Sequence, residues 1–281
     1  MENKFEHIIM NSNSNIKTFT KKPLDQDELT SLHIPLHLKE QIENQIVKIN
    51  EKYYHAKMAT SKEMLNEMIG SFLARKISLE AVDYQMGQCG GDLYALSELF
   101  YDENHTYPLF EEYFSKTEQN QEALFDNDGL GRPYLIQPKL SKLVKDEQLA
   151  NKILKLIALD LKMDQTDRHS ENVMLRKNIK TGTLDLTPIY DFANSYFAIS
   201  NYPRDFIYDT PFIIVRKNKL SLRALSRKNP EILKSSKTLI DTPIEDVLSE
   251  IEKEKQITIP DKTKAFYKKK DGEYTKVLQK L

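Results

Sequence analysis

The sequence predicts an α+β protein with two lobes, a small strand-rich lobe followed by a larger and mostly helical one. Residues 1–100 contain short stretches of alternating hydrophobic side chains around one strongly amphipathic helical stretch. From about residue 101 the hydrophobic residues recur at helical spacing instead. A chain of 281 residues, 40% of them hydrophobic and 30% charged, is long enough to bury a core in both parts. We therefore predict domains at 1–100 and 101–281.

The small lobe is predicted to run strand, strand, helix, strand, strand. Residues 45–59 alternate in polarity on both sides of a short polar turn, which is typical of a β-hairpin. Residues 60–77 carry a broad apolar stripe at helical spacing, and Thr60 with Glu63 fits a capping box at the start of that helix. Residues 81–100 are predicted to form two further strands joined by a glycine-containing turn.

The larger lobe is predicted from five stretches. Residues 139–162 have apolar side chains at helical spacing and predict a long helix. Glycines and a proline indicate a loop at 127–134. Two short strands are expected at 173–176 and 184–190. Residues 241–255 predict a helix with its N-cap at one of the first two residues and with acidic side chains in its first turn.

The composition argues against several kinds of site. The net charge is −1 and the lysines are spread along the chain, so no overall field favours nucleic acid or a membrane surface. No stretch approaches the ~18 apolar residues that a membrane span needs. The single cysteine, Cys89, permits neither an internal disulfide nor a cysteine-based zinc site. We therefore expect a cytoplasmic protein without direct nucleic-acid binding and without a membrane span.

The stretch MDQTDRHSENVML, residues 163–175, concentrates hydrogen-bonding side chains in one short loop. Asp167 and Asn172 have the spacing of a kinase catalytic loop, in which the Asp accepts the proton of the substrate hydroxyl and the Asn holds a metal ion. The spacing alone is weak evidence, because about one such pair is expected by chance in a chain of this length. The plain alternative is a self-satisfied turn, with Arg168 paired to Asp167 and His169 capping a helix.

The surroundings of this loop favour the kinase interpretation. The loop follows a predicted long helix and precedes a predicted hairpin, and the stretch LTPIYDF then brings Asp191 out of an apolar strand. A carboxylate at this position is expected to meet Asn172 across the hairpin. The two side chains would share a Mg²⁺ ion, which prefers oxygen ligands and few protein groups.

The small lobe supplies residues that would complete a nucleotide site. Lys57 lies on a predicted strand and Glu67 on the helix that follows, which is the arrangement by which kinases position a lysine on the α- and β-phosphates. The stretch ALSELF leads from the last strand of the small lobe into the larger lobe. Its residues Glu98, Leu99 and Phe100 are predicted to hold an adenine base through their backbone.

Together these segments resemble the HipA-like serine/threonine kinase family, and the Asp-Arg-His-x-x-Asn loop is also similar to that of phosphoinositide kinases. The resemblance covers roughly 45–200 and implies a two-lobed protein-kinase-like fold, ATP and Mg²⁺ as cofactors, and a serine or threonine of a protein as acceptor. It implies that Asp167 is the base and that His169 braces the loop or contacts phosphate. Asn172 and Asp191 would be metal ligands, and Lys57 would bind phosphate.

The chain departs from this pattern in the segment that would cover the phosphates. A glycine-rich loop is expected before the first hairpin, yet the first glycine of the chain is Gly70. This absence keeps open a nucleotide-binding pseudokinase that regulates a partner, and the phosphoinositide-kinase-like loop keeps open a lipid or small-molecule kinase. The family resemblance further suggests an antitoxin or a host protein as partner, with the protein acting in the bacterial cytoplasm or, as an effector, inside a host cell.

Overall fold

The computed structural model of the chain describes the following residues: 9–10, 15–110, 125–127, 133–135, 141, 145–165, 168, 172–195 and 229–278. The strands of these ranges are β1 (Ile9–Met10), β2 (Ile16–Thr18), β3 (Ile46–Ile49), β4 (Lys52–Met58), β5 (Tyr84–Cys89), β6 (Asp92–Glu98), β7 (His105–Thr106), β8 (Phe125–Asn127), β9 (Pro133–Leu135), β10 (Leu175–Asn178), β11 (Leu184–Leu186) and β12 (Ile257–Thr258). The α-helices of these ranges are α1 (Gln26–Ser31), α2 (Leu36–Ile42), α3 (Ser61–Lys76), α4 (Glu147–Met163), α5 (Pro230–Ile240), α6 (Ile244–Lys255) and α7 (Asp261–Leu278).

The small lobe is built on a five-stranded sheet with the order β2-β5-β6-β4-β3. The predicted hairpin β3–β4 is antiparallel and turns at Asn50 and Glu51, which have φ values of 48° and 62°. Two consecutive residues with positive φ are the signature of a type I′ turn, whose twist matches that of the flanking strands. The second hairpin, β5–β6, turns at Gly90 and Gly91. Strand β2 was not predicted, and it extends the sheet by pairing in parallel with β5.

Helix α3 forms where the sequence predicts it and begins with the predicted capping box. The Glu63 amide donates to Thr60 Oγ1 at 3.3 Å, and the Thr60 amide donates to Glu63 Oε2 at 2.7 Å. Residues Met64 to Ala74 are all buried, so the helix is covered on nearly all sides. It packs against the sheet at β5 and β6 and against α4 and α6. Helix α3 therefore lies between the sheet and the helices of the larger lobe.

The larger lobe is centred on α4, which packs against α5 and α7. The helix starts later than predicted because Asp146 is its N-cap and accepts hydrogen bonds from the amides of Gln148 and Leu149. The preceding residue, Lys145, has a φ of 54°, which a helix cannot accommodate. The apolar faces of α4 and α3 belong to one continuous cluster of buried side chains that reaches into both lobes.

Three other predictions are corrected in detail. The predicted loop 127–134 contains the ends of a short antiparallel hairpin, in which Asn127 lies opposite Pro133. Strand β11 ends at Leu186 rather than at residue 190, and Ile189 then forms an isolated bridge to Ala81. The intervening proline has no amide hydrogen to continue the ladder. The N-cap of α6 is Pro243, one or two residues later than expected.

Within the described ranges, no helix combines the length and the apolar character required to cross a membrane.

Candidate functional site

A cavity lies between the small-lobe sheet and the larger lobe. It brings together most of the residues that the sequence singled out. The predicted site residues on its walls are Lys57, Glu67, Glu98, Leu99, Phe100, Asn172 and Asp191. The predicted base Asp167 and the predicted loop residue His169 lie outside the described residues. The cavity therefore joins parts of the chain that are more than 130 residues apart, since Lys57 and Asp191 are separated by 134 positions.

Lys57 reaches the cavity because side chains alternate along β4. Tyr54 and Ala56 pack into a separate apolar cluster of the small lobe, while His55 and Lys57 line the cavity. The Lys57 ammonium donates to Asp191 Oδ1 at 2.9 Å. Burial lowers the pKa of Lys57, but the charges of Asp191 and Glu67 outweigh that effect and the pKa is raised. Lys57 is therefore a permanent positive charge in the cavity.

Glu67 occupies the expected helix but does not make the expected ion pair with Lys57. Its Oε2 accepts a hydrogen bond from the backbone amide of Phe192 at 2.7 Å, and the residue is only 1% exposed. Burial and the neighbouring charge of Asp191 raise the pKa of Glu67 to about 7, against the opposing influence of Lys57. Glu67 thus holds the chain just after Asp191, and its charge contributes to the field around Lys57 without a direct contact.

Asp191 lies in an irregular segment rather than at the end of a regular strand, and it has a φ of 60°. For a residue other than glycine, this left-handed conformation costs roughly 1–3 kcal/mol and persists only where the surroundings fix it. Two side chains do so: the Asp191 amide donates to the Tyr84 hydroxyl at 3.1 Å, and the Asp191 carbonyl accepts from Gln165 Nε2. No local sequence pattern indicates that Tyr84 would hold the backbone of Asp191.

Arg168 connects α4 and Asn172 to the residue that precedes Asp191. Its guanidinium is buried, with Nε and Nη2 donating to the Asp160 carboxylate at 3.2–3.3 Å. The Nη1 atom donates to the carbonyls of Asn172 at 3.1 Å and Tyr190 at 2.6 Å. The alternative of a self-satisfied turn required Arg168 to pair with Asp167. In the part of the chain that the structure describes, the carboxylate partner of Arg168 is Asp160 on α4.

Asn172 and Asp191 both line the cavity. An amide oxygen and a carboxylate oxygen suit Mg²⁺, which usually takes one or two protein carboxylates and completes its shell with water and substrate phosphates. Among the described residues, no group of three or more His, Cys, Asp or Glu side chains could hold a metal ion. One amide oxygen and one carboxylate oxygen fit a Mg²⁺ ion whose remaining ligands come from water and substrate.

The segment that leaves β6 forms another wall of the cavity. The Leu99 amide donates to the Tyr53 carbonyl at 3.0 Å, which ties this segment to β4. The Glu98 carboxylate turns away to Lys52, at 2.9 Å, so only the backbone of Glu98 suits the predicted role in base binding. The rings of Phe100 and Tyr190 lie 6.4 Å apart at this wall.

Helix α2 precedes the first hairpin, as the expected glycine-rich loop would, and lies over the segment after β6. Leu38 and Ile42 of this helix line the cavity. They also pack with Leu99 and Tyr101 in a small apolar cluster that holds the helix over the segment after β6. The sequence predicted a helix after Pro35 but not its position over the cavity, because that position depends on contacts with residues more than fifty positions away.

His55 is a cavity residue that the sequence did not single out. Its Nε2 lies 3.0 Å from the side-chain oxygen of Gln45. Burial and the charge of Lys57 lower the pKa of His55 to about 4, so the imidazole is neutral at physiological pH. A neutral ring adds no charge beside Lys57.

Comparison with known proteins supports the fold. No protein-family model matches the sequence, and no curated protein matches it either. Among solved structures, HipA of Shewanella oneidensis MR-1, in a toxin–antitoxin complex with HipB and operator DNA, matches with a TM-score of 0.51 and 11% identity over 77% of this chain and 55% of that chain. The Helicobacter pylori proinflammatory kinase CtkA matches with a TM-score of 0.49 and 14% identity over 83% of this chain and 91% of that chain.

The match to HipA confirms the predicted α+β fold with two kinase-like lobes. This is the fold that the resemblance to HipA-like kinases implied. The chain spans about half the length of the HipA chain, with 55% of the latter covered.

Proposed function

We propose that this chain, which has the kinase-like fold of HipA, is an ATP- and Mg²⁺-dependent protein kinase that phosphorylates serine or threonine. The observation that supports the proposal best is that Lys57, Asn172 and Asp191 line one cavity together with apolar side chains of α2 and the small lobe, and that Lys57 contacts Asp191 there. A nucleoside triphosphate likewise has a flat apolar base at one end and anionic phosphates at the other. ATP would place its base against the apolar walls and its phosphates beside Lys57.

The apolar walls of the cavity are proposed to bind the adenine. Leu38 and Ile42 from α2 and Val82 from the small lobe provide apolar walls. The backbone between Glu98 and Phe100 would supply hydrogen bonds to the edge of the base. Because α2 is itself packed against Leu99, the base would be enclosed without a glycine-rich loop.

The polar and charged residues of the cavity are proposed to bind the phosphates. Asn172 and Asp191 would hold Mg²⁺, which when bound neutralises the charge that develops on the transferred phosphoryl group. Lys57 would then exchange its contact with Asp191 for phosphate oxygens, since a compact ammonium pairs readily with either anion. Asp167 would orient the acceptor hydroxyl and take its proton as the new oxygen–phosphorus bond forms and the bond to the bridging β,γ-oxygen breaks.

The test is transfer of labelled phosphate from γ-labelled ATP in the presence of Mg²⁺, with a mixture of protein acceptors. We expect label on protein with the wild type and none with Asp167→Ala or Asp191→Ala. Asp92→Ala is the matched control, because it removes an exposed carboxylate at the start of β6, away from the cavity, and should keep full activity. An Asp191→Ala protein as active as the wild type would refute the assignment of the metal ligand.

A nucleotide-binding pseudokinase is the second candidate. It is favoured by the ion pair between Lys57 and Asp191, which occupies both groups that phosphate and metal would need. This candidate predicts that ATP raises the melting temperature of the wild type while no label reaches any protein. Label appearing in phosphoinositide lipids and never in protein would instead select the lipid kinase.

An antitoxin partner is also a proposal, supported by the complex in which the HipA neighbour was solved. Coexpression of the chain with the products of adjacent genes, followed by copurification, tests it. A stable complex that blocks phosphate transfer would place the protein in the bacterial cytoplasm as a toxin. Growth arrest of host cells, without such a partner, would favour an effector.

A further inference from the structure

The backbone that follows Asp191 is held mainly by side chains from other elements. Residues 191–195 form no helix or sheet, and their one internal backbone hydrogen bond joins the Ser195 amide to the Phe192 carbonyl at 3.0 Å. Helix α3 supplies most of the remaining support, since Glu67 binds the Phe192 amide and the neighbouring Asn66 binds two carbonyls further on. A segment fixed in this way is only as well placed as the side chains that fix it.

Asn66 uses both ends of its amide group. Its Nδ2 donates to the carbonyls of Ala193 at 2.8 Å and Ser195 at 2.7 Å, and its Oδ1 accepts from the Tyr267 hydroxyl at 2.8 Å. The residue is fully buried, so water cannot replace any of these partners. If the amide turned over, its oxygen would face two carbonyl oxygens, which is unfavourable in a buried site. The two carbonyls therefore set the orientation of the Asn66 amide, and the Tyr267 hydroxyl stabilises that orientation by donating to its oxygen.

Tyr267 belongs to α7 and is likewise fully buried. The same helix is fastened to α4 by an ion pair between Asp271 and Lys162, at 2.7 Å, in which the lysine side chain is only 1% exposed. Helix α7 thus links α4, which leads into the catalytic-loop segment, to α3, which holds the segment after Asp191. The contact between Tyr267 and Asn66 crosses 201 positions of sequence.

Asp191 is the residue that depends most on this support. Its φ of 60° is unfavourable, and that conformation persists only if the residues on both sides are fixed. Tyr84 and Gln165 fix the backbone at Asp191 itself. Asn66 and Glu67 fix the backbone after it. Loosening the second group would let the Asp191 carboxylate turn away from Lys57, its partner in the cavity.

We propose that Asn66 and Tyr267 are positioning residues, which set the direction of the Asp191 carboxylate through the carbonyls of residues 193 and 195. The inference rests on the proposed function in one respect: the ligand toward which Asp191 is directed is a Mg²⁺–nucleotide. Neither residue lines the cavity. A purely structural role for the pair would lower stability without changing the response to Mg²⁺.

The first measurement is hydrogen exchange of the full-length protein without nucleotide. Tyr267→Phe removes one hydroxyl from a buried site and leaves the ring in place. Loss of one hydrogen bond should speed exchange in peptides covering 192–195 about fivefold. Tyr94→Phe is the matched control, because it removes a hydroxyl from a buried tyrosine on the other face of the small-lobe sheet and should leave these peptides unchanged.

The second measurement is the melting temperature as Mg²⁺ is titrated at a fixed concentration of a non-hydrolysable ATP analogue. The Mg²⁺ concentration for half of the shift should rise about fivefold in Tyr267→Phe, and the shift produced by the analogue without Mg²⁺ should not change. Asn66→Ala should have the larger effect. The double variant should match Asn66→Ala alone, because residues that act in series are not additive.

The outcomes separate the two proposals. A Tyr267→Phe protein with a lower melting temperature but with wild-type exchange at 192–195 and a wild-type Mg²⁺ midpoint would overturn the positioning role. If neither Mg²⁺ nor the analogue changes the melting temperature of the wild type, the proposed function and the metal part of this inference are overturned. Faster exchange at 192–195 in Tyr267→Phe would, even then, establish the coupling between α7 and the segment after Asp191.

Discussion

Replacing Gly70 by alanine tests how tightly α3 holds the segment after Asp191. A Cβ atom at this position would lie 2.1 Å from Cγ of Phe192, whereas ordinary contacts of a Cβ are 3.4–4 Å. The ring would have to move by more than an ångström, and it cannot move freely because it is fully buried and the Arg168 guanidinium lies 5.0 Å from its centroid. Overpacking of this kind typically costs about 1–3 kcal/mol.

The expected change in stability is the difference between that cost and a gain. Alanine is favoured over glycine in a helix interior by roughly 0.8–1.0 kcal/mol. Gly272 in α7 provides the matched control, because a Cβ there would meet no atom within 4 Å. Gly272→Ala should therefore raise the free energy of unfolding by up to ~1 kcal/mol, and Gly70→Ala should fall below it by about 1–3 kcal/mol.

The assay is urea unfolding of both variants beside the wild type, followed by phosphate transfer. Gly70→Ala should also lose most of its activity, since Phe192 is the residue next to Asp191 and its displacement moves the proposed metal ligand. Equal stabilisation by the two substitutions would refute the reasoning, because it would mean that Phe192 does not occupy the space beside Gly70.

Three further predictions follow from the site. Glu67 has a pKa of about 7 in the folded protein, against an ordinary value of 4.5. As the pH rises from about 4.5 to 7, Glu67 ionises more readily in the unfolded chain than in the folded protein, so the folded wild type loses stability. Glu67→Gln should therefore gain stability relative to the wild type as the pH rises from about 4.5 to 7 in thermal melts, and parallel curves for the two proteins would contradict the shift. Ile42→Ala removes part of the apolar cover of the cavity and should raise the dissociation constant for ATP roughly tenfold in calorimetry, which corresponds to about 1.4 kcal/mol of lost apolar contact. An unchanged constant would show that α2 does not contact the base. Arg168→Met leaves the carboxylate of Asp160 buried without its partner and should lower the free energy of unfolding by about 3–5 kcal/mol. A loss below ~1 kcal/mol in urea unfolding would mean that this pair is accessible to solvent.

The local elements of the small lobe could be predicted because the information for them is close in sequence. The hairpin at 45–59 needs only alternation of polarity around a turn, and helix α3 needs only an apolar stripe and the capping pair Thr60 and Glu63. Strand β2 escaped prediction because three residues carry no reliable pattern, and its pairing with β5 involves a partner about seventy positions away. The hairpin of β8 and β9 was not predicted because the glycines between its strands are typical of a loop.

The sequence by itself determined the fold class and the types of side chain at the candidate site. A lysine on a strand, an Asp-x₄-Asn loop and an aspartate after an apolar stretch are local patterns, and the chemistry of phosphate and Mg²⁺ restricts which residues can serve. The tertiary structure alone decided which groups meet. Lys57 pairs with Asp191 rather than with Glu67, Arg168 with Asp160, and Tyr267 with Asn66. These pairs depend on how α3, α4 and α7 pack against one another, and that packing is set by the shape of a shared core rather than by the spacing of residues along the chain.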